Sequence, residues 1–284
     1  MITCLSLGVV APPPSLSVVI PAFNERERLP EPLATSLSYL RAQPSRAWEV
    51  IVVDDGSTDG MSATLQRMHA DEPERLRIVR SPTNHGKGAA VAAGAAVATG
   101  ERILLMDADG STPLSALPDL EQVMDERSCG VVVGERSDAR PWYRQLMGTV
   151  FRRLAATAVT DVADTQCGFK LLTRDAAART LPHLHVSRWA YDVEMLHLAQ
   201  RLKFGVASTR VPSVDVPGSK VQWWTPAEML VDVLRVSTFY RLGVWEAAPP
   251  SASSSMDVRT AARRRGGEPA YVELQHEPTR GTPS

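Results

Sequence analysis

Two features of this chain predict an α/β fold, a single domain with a mostly parallel sheet flanked by helices. Apolar strand-like runs alternate with helical stretches from Leu16 to Met106. The first, second and fourth runs end in polar loops: Pro21-Ala22-Phe23-Asn24-Glu25, Asp54-Asp55-Gly56 and Asp107-Ala108-Asp109. Alternation at this interval implies βαβ units. Right-handed crossovers then align the carboxyl ends of the strands, where open α/β sheets bind ligands.

Leu16 to Ile20 reads as a first strand that stops at Pro21, and Glu25 to Gln43 as a helix. Trp48 to Val53 is a second strand, and Ser57 to His69 carries apolar residues at helical spacing. Leu76 to Arg80 is a third strand, Gly86 to Thr99 an alanine-rich helix and Arg102 to Met106 a fourth strand. Val131 to Val133 adds another strand, followed by helices and irregular segments as far as Trp245. Residues 1–14 form an N-terminal extension and 15–245 the domain. Residues 246–284, rich in Pro, Ser, Gly, Arg and Glu, are expected to be a disordered tail. Arg263-Arg264-Arg265 within it reads as a solvated charge run.

The 284 residues suffice for a sizeable core, and the net charge of −1 gives no reason to expect nucleic-acid binding. The 3 cysteines, Cys4, Cys129 and Cys167, are odd in number and widely spaced, which argues for a reducing compartment. No apolar run reaches the roughly 18 residues of a membrane span. Met1 to Val10 lacks the basic start of a signal peptide. The expected location is cytoplasmic, peripheral at the cytoplasmic face of a membrane.

Asp107 and Asp109 close the fourth strand. Strand positions two apart point the same way, so the pair forms a hard oxygen site for Mg²⁺ or Mn²⁺, which take one or two carboxylates and leave the remaining positions to phosphates and water. A solvated acidic turn has the same sequence. In Asp54-Asp55-Gly56-Ser57-Thr58-Asp59, one Asp can accept from a base N–H or a ribose hydroxyl, Gly56 permits a tight turn and Ser57 can cap the next helix. A plain turn with a helix cap reads equally well. Asn84-His85-Gly86-Lys87-Gly88 precedes the alanine helix, whose N-terminus and adjacent Lys87 attract phosphate. It is not a P-loop, because the GxxxxGK[ST] spacing is absent.

In this order and spacing, PAFNE, VVDDGSTDG, NHGKGAAVAAG and MDADGST resemble inverting family 2 glycosyltransferases of the GT-A (Rossmann-like) fold. Asp164 to Lys170 (DTQCGFK), Arg188 to Glu194 (RWAYDVE) and Pro217 to Lys220 (PGSK) narrow the resemblance to dolichyl-phosphate and polyprenyl-phosphate β-glucosyltransferases. The resemblance implies that Pro21, Ala22, Asn24, Glu25, Asp54 or Asp55, and Lys87 hold a nucleotide-sugar donor, UDP-glucose being favoured. It places Asp107 near the ribose and pyrophosphate and makes Asp109 the chief metal ligand.

The expected reaction moves glucose to dolichyl or polyprenyl phosphate with inversion to a β linkage. A hydroxyl acceptor needs a general base, whereas a lipid phosphate is already ionised and needs positioning and charge stabilisation. Arginines 136, 140, 144, 152 and 153 suit phosphate oxygens. Arg136, just after a strand, is the best placed, while Arg152 and Arg153 read as a solvated face. Arg188 and Lys220 are candidates to hold the acceptor phosphate or the donor, Asp192 is the fallback base, and Gln166 can hydrogen-bond the sugar. Asp192 and Glu194 lie on a strand-like face or a helix start, where they orient sugar hydroxyls or pair with Arg188 and Lys170. Cys167 reads as a small buried residue. Trp223-Trp224 and the amphipathic stretch to Trp245 suit a membrane surface or a helix packed on the sheet. The alternatives are a GDP-mannose-dependent mannosyltransferase, a family 2 transferase with a hydroxyl acceptor, and a non-catalytic nucleotide-sugar-binding module. A sugar nucleotidyltransferase is disfavoured, because PAFNE stands where such an enzyme has a glycine-rich basic loop.

Overall fold

The computed structural model describes residues 14–136, 166–188, 190–214, 216, 231–232, 234–236, 238–240, 242–243 and 271–274. Its centre is one eight-stranded sheet in the order β7-β5-β6-β4-β1-β2-β3-β8. The strands are β1 (Leu16–Ala22), β2 (Trp48–Asp55), β3 (Leu76–Ser81), β4 (Arg102–Leu105), β5 (Val131–Arg136), β6 (Lys170–Thr173), β7 (Val206–Val211) and β8 (Val272–Glu273). β1 pairs in parallel with β2 and β4, β2 with β3, and β5 with β7, while β6 and β8 run antiparallel to their neighbours. The mostly parallel sheet expected from sequence is therefore present.

The helices are α1 (Pro30–Arg41), α2 (Met61–Asp71), α3 (Lys87–Val97), α4 (Leu117–Arg127), α5 (Arg174–Thr180) and α6 (Tyr191–Arg201). α1 and α2 start later than their apolar patterns suggest. Pro30 opens α1, since a first-turn proline gives up only an N–H that the helix leaves unbonded. Gly60 (φ 84°) ends the loop before α2, and Asp59 Oδ1 accepts from the Met61 amide at 2.9 Å. Ser57 is thus not the cap that the sequence suggested.

β2 is buried along all eight residues, as a central strand covered on both faces must be. α3 lies close on this sheet because glycine and alanine make up most of its buried face: a Cβ at Gly94 would come within 2.5 Å of Val19 Cγ1 and 2.8 Å of Val53 Cγ2. Pro21 is tolerated in the central β1 for a simple reason. Val19 gives its carbonyl to Met106 N, so Val19 and Pro21 both face the β4 side, where β4 has already ended at Leu105.

At the amino ends of β1 and β2, Glu49 forms a buried polar knot. It accepts from Ser17 Oγ (2.6 Å), Thr99 N (2.6 Å), Thr99 Oγ1 (2.7 Å) and Arg77 Nη1 (2.7 Å). Burial pushes the Glu49 carboxyl up, but these donors outweigh it and hold it below the usual range.

Within 246–284, the stretch expected to lack structure, residues 271–274 pair with the β3 edge, and the rest lies outside the described residues. The register is Val79 with Glu273 and Arg80 with Val272. Among the described residues no helix is long and apolar enough to cross a membrane.

Candidate active site

The loops after β1 and β2 are stitched together. Asn24 adopts a left-handed conformation (φ 53°), its amide donates to Ser57 Oγ at 2.8 Å, and its Oδ1 accepts from Thr58 N at 2.8 Å. Glu25 is held by Arg28 through hydrogen bonds of 2.6 and 2.7 Å. Gly56 is required as such: φ is +79°, and a Cβ would meet the Thr83 carbonyl carbon at 2.5 Å.

The two adjacent aspartates separate into different tasks. Asp54 is fully buried, accepts from Ser57 N (2.9 Å) and Ser62 Oγ (2.7 Å), and ion-pairs with Arg80 at 3.4 Å. It anchors the turn. Asp55 reaches across to the next loop, where Oδ1 accepts from His85 N (2.9 Å) and Oδ2 from Gly86 N (2.8 Å). Oδ1 also accepts from the Tyr271 hydroxyl at 2.6 Å. Burial pushes the Asp55 carboxyl up, and these donors offset that only in part.

The start of α3 differs from the expectation of a bare phosphate-binding helix end. The amides of Gly88 and Ala89 donate to the Ser187 carbonyl at 2.9 and 3.2 Å, so they are already engaged. What the loop contributes is Lys87, whose Nζ lies 2.6 Å from Asp107 Oδ1. Burial lowers the Lys87 ammonium, but Asp107, then Asp192 and Asp109, raise it above its ordinary value. Burial likewise pushes Asp107 up, and Lys87, aided by Lys170 and Arg136, brings it below the usual carboxylate range.

β4 ends at Leu105, so Asp107 and Asp109 sit on a turn rather than on one face of a strand. That corrects the alternation argument. The turn is closed by Gly110 N to Asp107 O (3.5 Å) and Ser111 N to Asp109 Oδ1 (3.0 Å). Beside it lies a cleft lined by Asp107, Ser111, Thr112, Arg136, Cys167, Gly168 and Phe169. No cluster of three or more His, Cys, Asp or Glu suited to a metal occurs among the described residues. Two partly exposed carboxylates on one turn still match the sparse, all-oxygen donor set that Mg²⁺ or Mn²⁺ takes from a protein when phosphates complete its shell.

Asp192 stands in the first turn of α6, bearing out a helix start there. It is 3% exposed, and its Oδ1 receives Lys170 Nζ at 2.7 Å. Lys170 is itself fully buried and also donates to the Cys167 carbonyl. Lys87, Asp107, Lys170 and Asp192 therefore form an alternating charge cluster beside the buried Tyr191, whose phenol is pushed well above its usual range by burial and by Asp192 and Asp107. The fallback base is committed to an ion pair.

Glu194, on another side of the helix, accepts from the amides of His185 (2.9 Å) and Val186 (2.7 Å) and from Tyr240 Oη (2.9 Å). It thereby fixes the segment that carries Ser187 and Arg188 against α3; a Cβ at Gly86 would lie 3.1 Å from Arg188 Cγ. Arg188 is exposed, Gln166 and Arg136 are half-buried, and Cys167 is fully buried, as expected of a small core residue. Lys220, Trp223, Trp224 and arginines 140, 144, 152 and 153 lie outside the described residues.

Two contributors escaped the sequence reading. Gly168 makes room for Asp107: a Cβ there would sit 2.1 Å from Asp107 Oδ2. Its signal was present in the DTQCGFK motif but not its reason. Tyr271 gave no signal, being a lone aromatic residue in a polar tail.

Residues 17–181 match the family model described as Glycosyl transferase family 2. The chain is 37% identical over 254 residues to the human dolichyl-phosphate beta-glucosyltransferase, covering 83% of this chain and 78% of that protein. It is 34% identical over 249 residues to the Dictyostelium discoideum dolichyl-phosphate beta-glucosyltransferase, covering 81% and 76%. Among solved structures it resembles Mycobacterium tuberculosis glucosyl-3-phosphoglycerate synthase in complex with Mn²⁺, UDP-glucose and phosphoglyceric acid. That likeness has a TM-score of 0.61 and 19% identity over 81% of this chain and 80% of the other. It also resembles the Pyrobaculum calidifontis mannosyltransferase in complex with GDP-mannose and Mn²⁺, with a TM-score of 0.59 and 22% identity over 84% and 67%. The structural likenesses speak for a GT-A-like fold; the family match and the curated relatives speak for the activity class. The chain belongs to glycosyl transferase family 2 and is a glycosyltransferase.

Proposed function

We propose that the enzyme transfers glucose from UDP-glucose to dolichyl or polyprenyl phosphate, inverting the anomeric centre to give a β-linked lipid-phosphate sugar. The observation that carries this reading is the buried pairing of Asp192 with Lys170 at 2.7 Å. A hydroxyl acceptor needs a base to take its proton during attack, and the carboxylate suggested for that work is neutralised and only 3% exposed. A phosphate acceptor arrives ionised and needs cationic surroundings instead. Arg136 supplies a cation in the cleft beside Asp107, and the exposed Arg188 packs against Gly86, next to Lys87. The relatives at 34% and 37% identity are dolichyl-phosphate beta-glucosyltransferases, which supports this division.

In this scheme Asp55 receives the base N–H, while Pro21, Ala22, Asn24, Glu25 and the buried Asp54 shape the loops around the nucleoside. Lys87 faces the diphosphate, Gln166 and Lys220 meet the sugar or the acceptor, and Asp109 with Asp107 would hold Mg²⁺ or Mn²⁺. A divalent cation held there would supply Lewis-acid neutralisation of the charge on the departing nucleoside diphosphate. The acceptor phosphate oxygen attacks the anomeric carbon from the face opposite the leaving diphosphate, guided by Arg136 and Arg188. Its lipid tail requires the cleft to open towards a membrane surface.

The test incubates the protein with UDP-[¹⁴C]glucose, polyprenyl phosphate and Mg²⁺, with GDP-[¹⁴C]mannose as a parallel arm. Label in an organic-extractable, acid-labile product from the UDP-glucose arm is expected. Label only from GDP-mannose, or only in water-soluble glucosides, would refute the proposal.

A further inference from the structure

The base end of the proposed donor site is not open. Tyr271, far along the chain, is brought to Asp55 by the short strand β8. Three contacts seat it there. Leu274 N donates to the Ile78 carbonyl at 2.9 Å, and Glu273 takes a forked pair of hydrogen bonds from Arg77, Nε at 2.6 Å and Nη2 at 3.0 Å. The phenol then donates to Asp55 Oδ1 at 2.6 Å, with its ring tilted against His85 at a centroid distance of 5.5 Å. With this arrangement in place Asp55 is 2% exposed.

The bond from Tyr271 is of the kind that a nucleobase N–H would make to the same carboxylate. Both are single donors to Oδ1, which already accepts from His85 N at 2.9 Å. A carboxylate oxygen has room for about two such donors, so the phenol and a base N–H exclude one another there. We propose that residues 271–274 form a strap whose Tyr271 occupies the base subsite of the empty enzyme and must leave before a nucleoside diphosphate sugar seats. The strap acts as an internal competitor, raising the donor concentration needed without touching the reacting atoms. This rests on the reading of Asp55 as the acceptor for the base.

The holding contacts suit a device that moves. Val272 is 54% exposed, and the Glu273 side chain of the Arg77 pair is 38% exposed. Ion pairs at such sites contribute little. Arg77 also keeps Glu49 and the Val97 carbonyl as partners, so it stays ordered when Glu273 departs.

UDP binding to the full-length chain, measured by calorimetry for the wild type, Tyr271→Ala and Glu273→Gln, tests this. A competitor that closes the site most of the time multiplies the apparent Kd by the inverse of the open fraction. Tyr271→Ala is therefore expected to tighten UDP by about three- to tenfold, and Glu273→Gln by less. UDP is further expected to speed hydrogen exchange at the Leu274 amide of the wild type. Equal or weaker UDP binding by Tyr271→Ala, or slower exchange at Leu274 with UDP, overturns the strap while leaving the donor reading intact. No nucleotide binding by any variant removes the donor reading and the strap with it.

Discussion

Gly168→Ala tests the claim that Asp107 must sit where it does. The perturbation is one methyl group on a backbone that does not need glycine's conformational freedom, since Gly168 is not among the residues of positive φ. The new Cβ would lie 2.1 Å from Asp107 Oδ2, 2.2 Å from Cγ and 2.3 Å from Oδ1. Ordinary contact is about 3.5 Å, so the carboxylate has to retreat by more than roughly 1 Å. Such a displacement breaks the 2.6 Å pair with Lys87 and moves an oxygen that the proposed mechanism assigns to the metal and diphosphate. A misplacement of about 1 Å in a reacting site costs on the order of 10²-fold in rate. Because Asp107 keeps a side-chain exposure of 31%, it can swing outward without unpacking the core. The expected result is a kcat lower by about 10²-fold with a melting temperature within a few degrees of the wild type. Full activity in Gly168→Ala would refute the assigned position of Asp107; a collapsed fold would refute the assumption that the clash stays local.

Three further predictions follow from the charges. Asp109→Asn is expected to abolish the rise in melting temperature that saturating Mn²⁺ produces, a rise worth about 2.7 kcal/mol at one hundred times Kd, and to reduce kcat at least 10²-fold. Lys87→Met is expected to weaken UDP binding and to let Asp107 titrate at a higher pH, readable by NMR of the labelled carboxylate; an unchanged Asp107 titration refutes the pairing. Glu49→Gln puts an amide where Arg77 donates and is expected to cost about 2–4 kcal/mol at neutral pH. Since the folded Glu49 ionises below its ordinary value, its contribution is complete above about pH 4.3 and is lost as the pH falls through the folded value. The gap between wild type and Glu49→Gln in urea melts should accordingly shrink below pH 4.

The βαβ order was legible because β1, β2 and β4 each carry an apolar run and are buried along nearly their whole length, the mark of strands covered on both faces. The loops at their carboxyl ends were legible as a group for the same reason: topology brings them together whatever their detail. Detail was harder. Asp54 and Asp55 are indistinguishable in sequence, yet one is enclosed by Ser57, Ser62 and Arg80 while the other faces the next loop. The helix end at Gly88 looked open, because nothing local announces that the Ser187 carbonyl, about 100 positions on, fills it. Long-range partners of this kind, Tyr271 on Asp55 above all, are set by tertiary packing and leave no periodic trace.

The same limit bears on Asp192, whose place beside the other acidic residues suggested a base. Removing the carboxylate alone is a poor test: Asp192→Asn leaves Lys170 charged and fully buried, a loss of about 3–5 kcal/mol that could stop activity by unfolding. The paired change Lys170→Met with Asp192→Leu removes both charges together, and such replacements are often neutral for stability. If Asp192 only anchors Lys170, the double variant should melt near the wild type and keep kcat within about tenfold, the residue of lost positive charge near Asp107. If Asp192 takes a proton from a hydroxyl acceptor, the double variant folds but loses at least 10²-fold in kcat, the usual worth of a general base. A folded, inactive double variant would therefore overturn the phosphate-acceptor reading, because an ionised acceptor leaves no proton for Asp192 to remove.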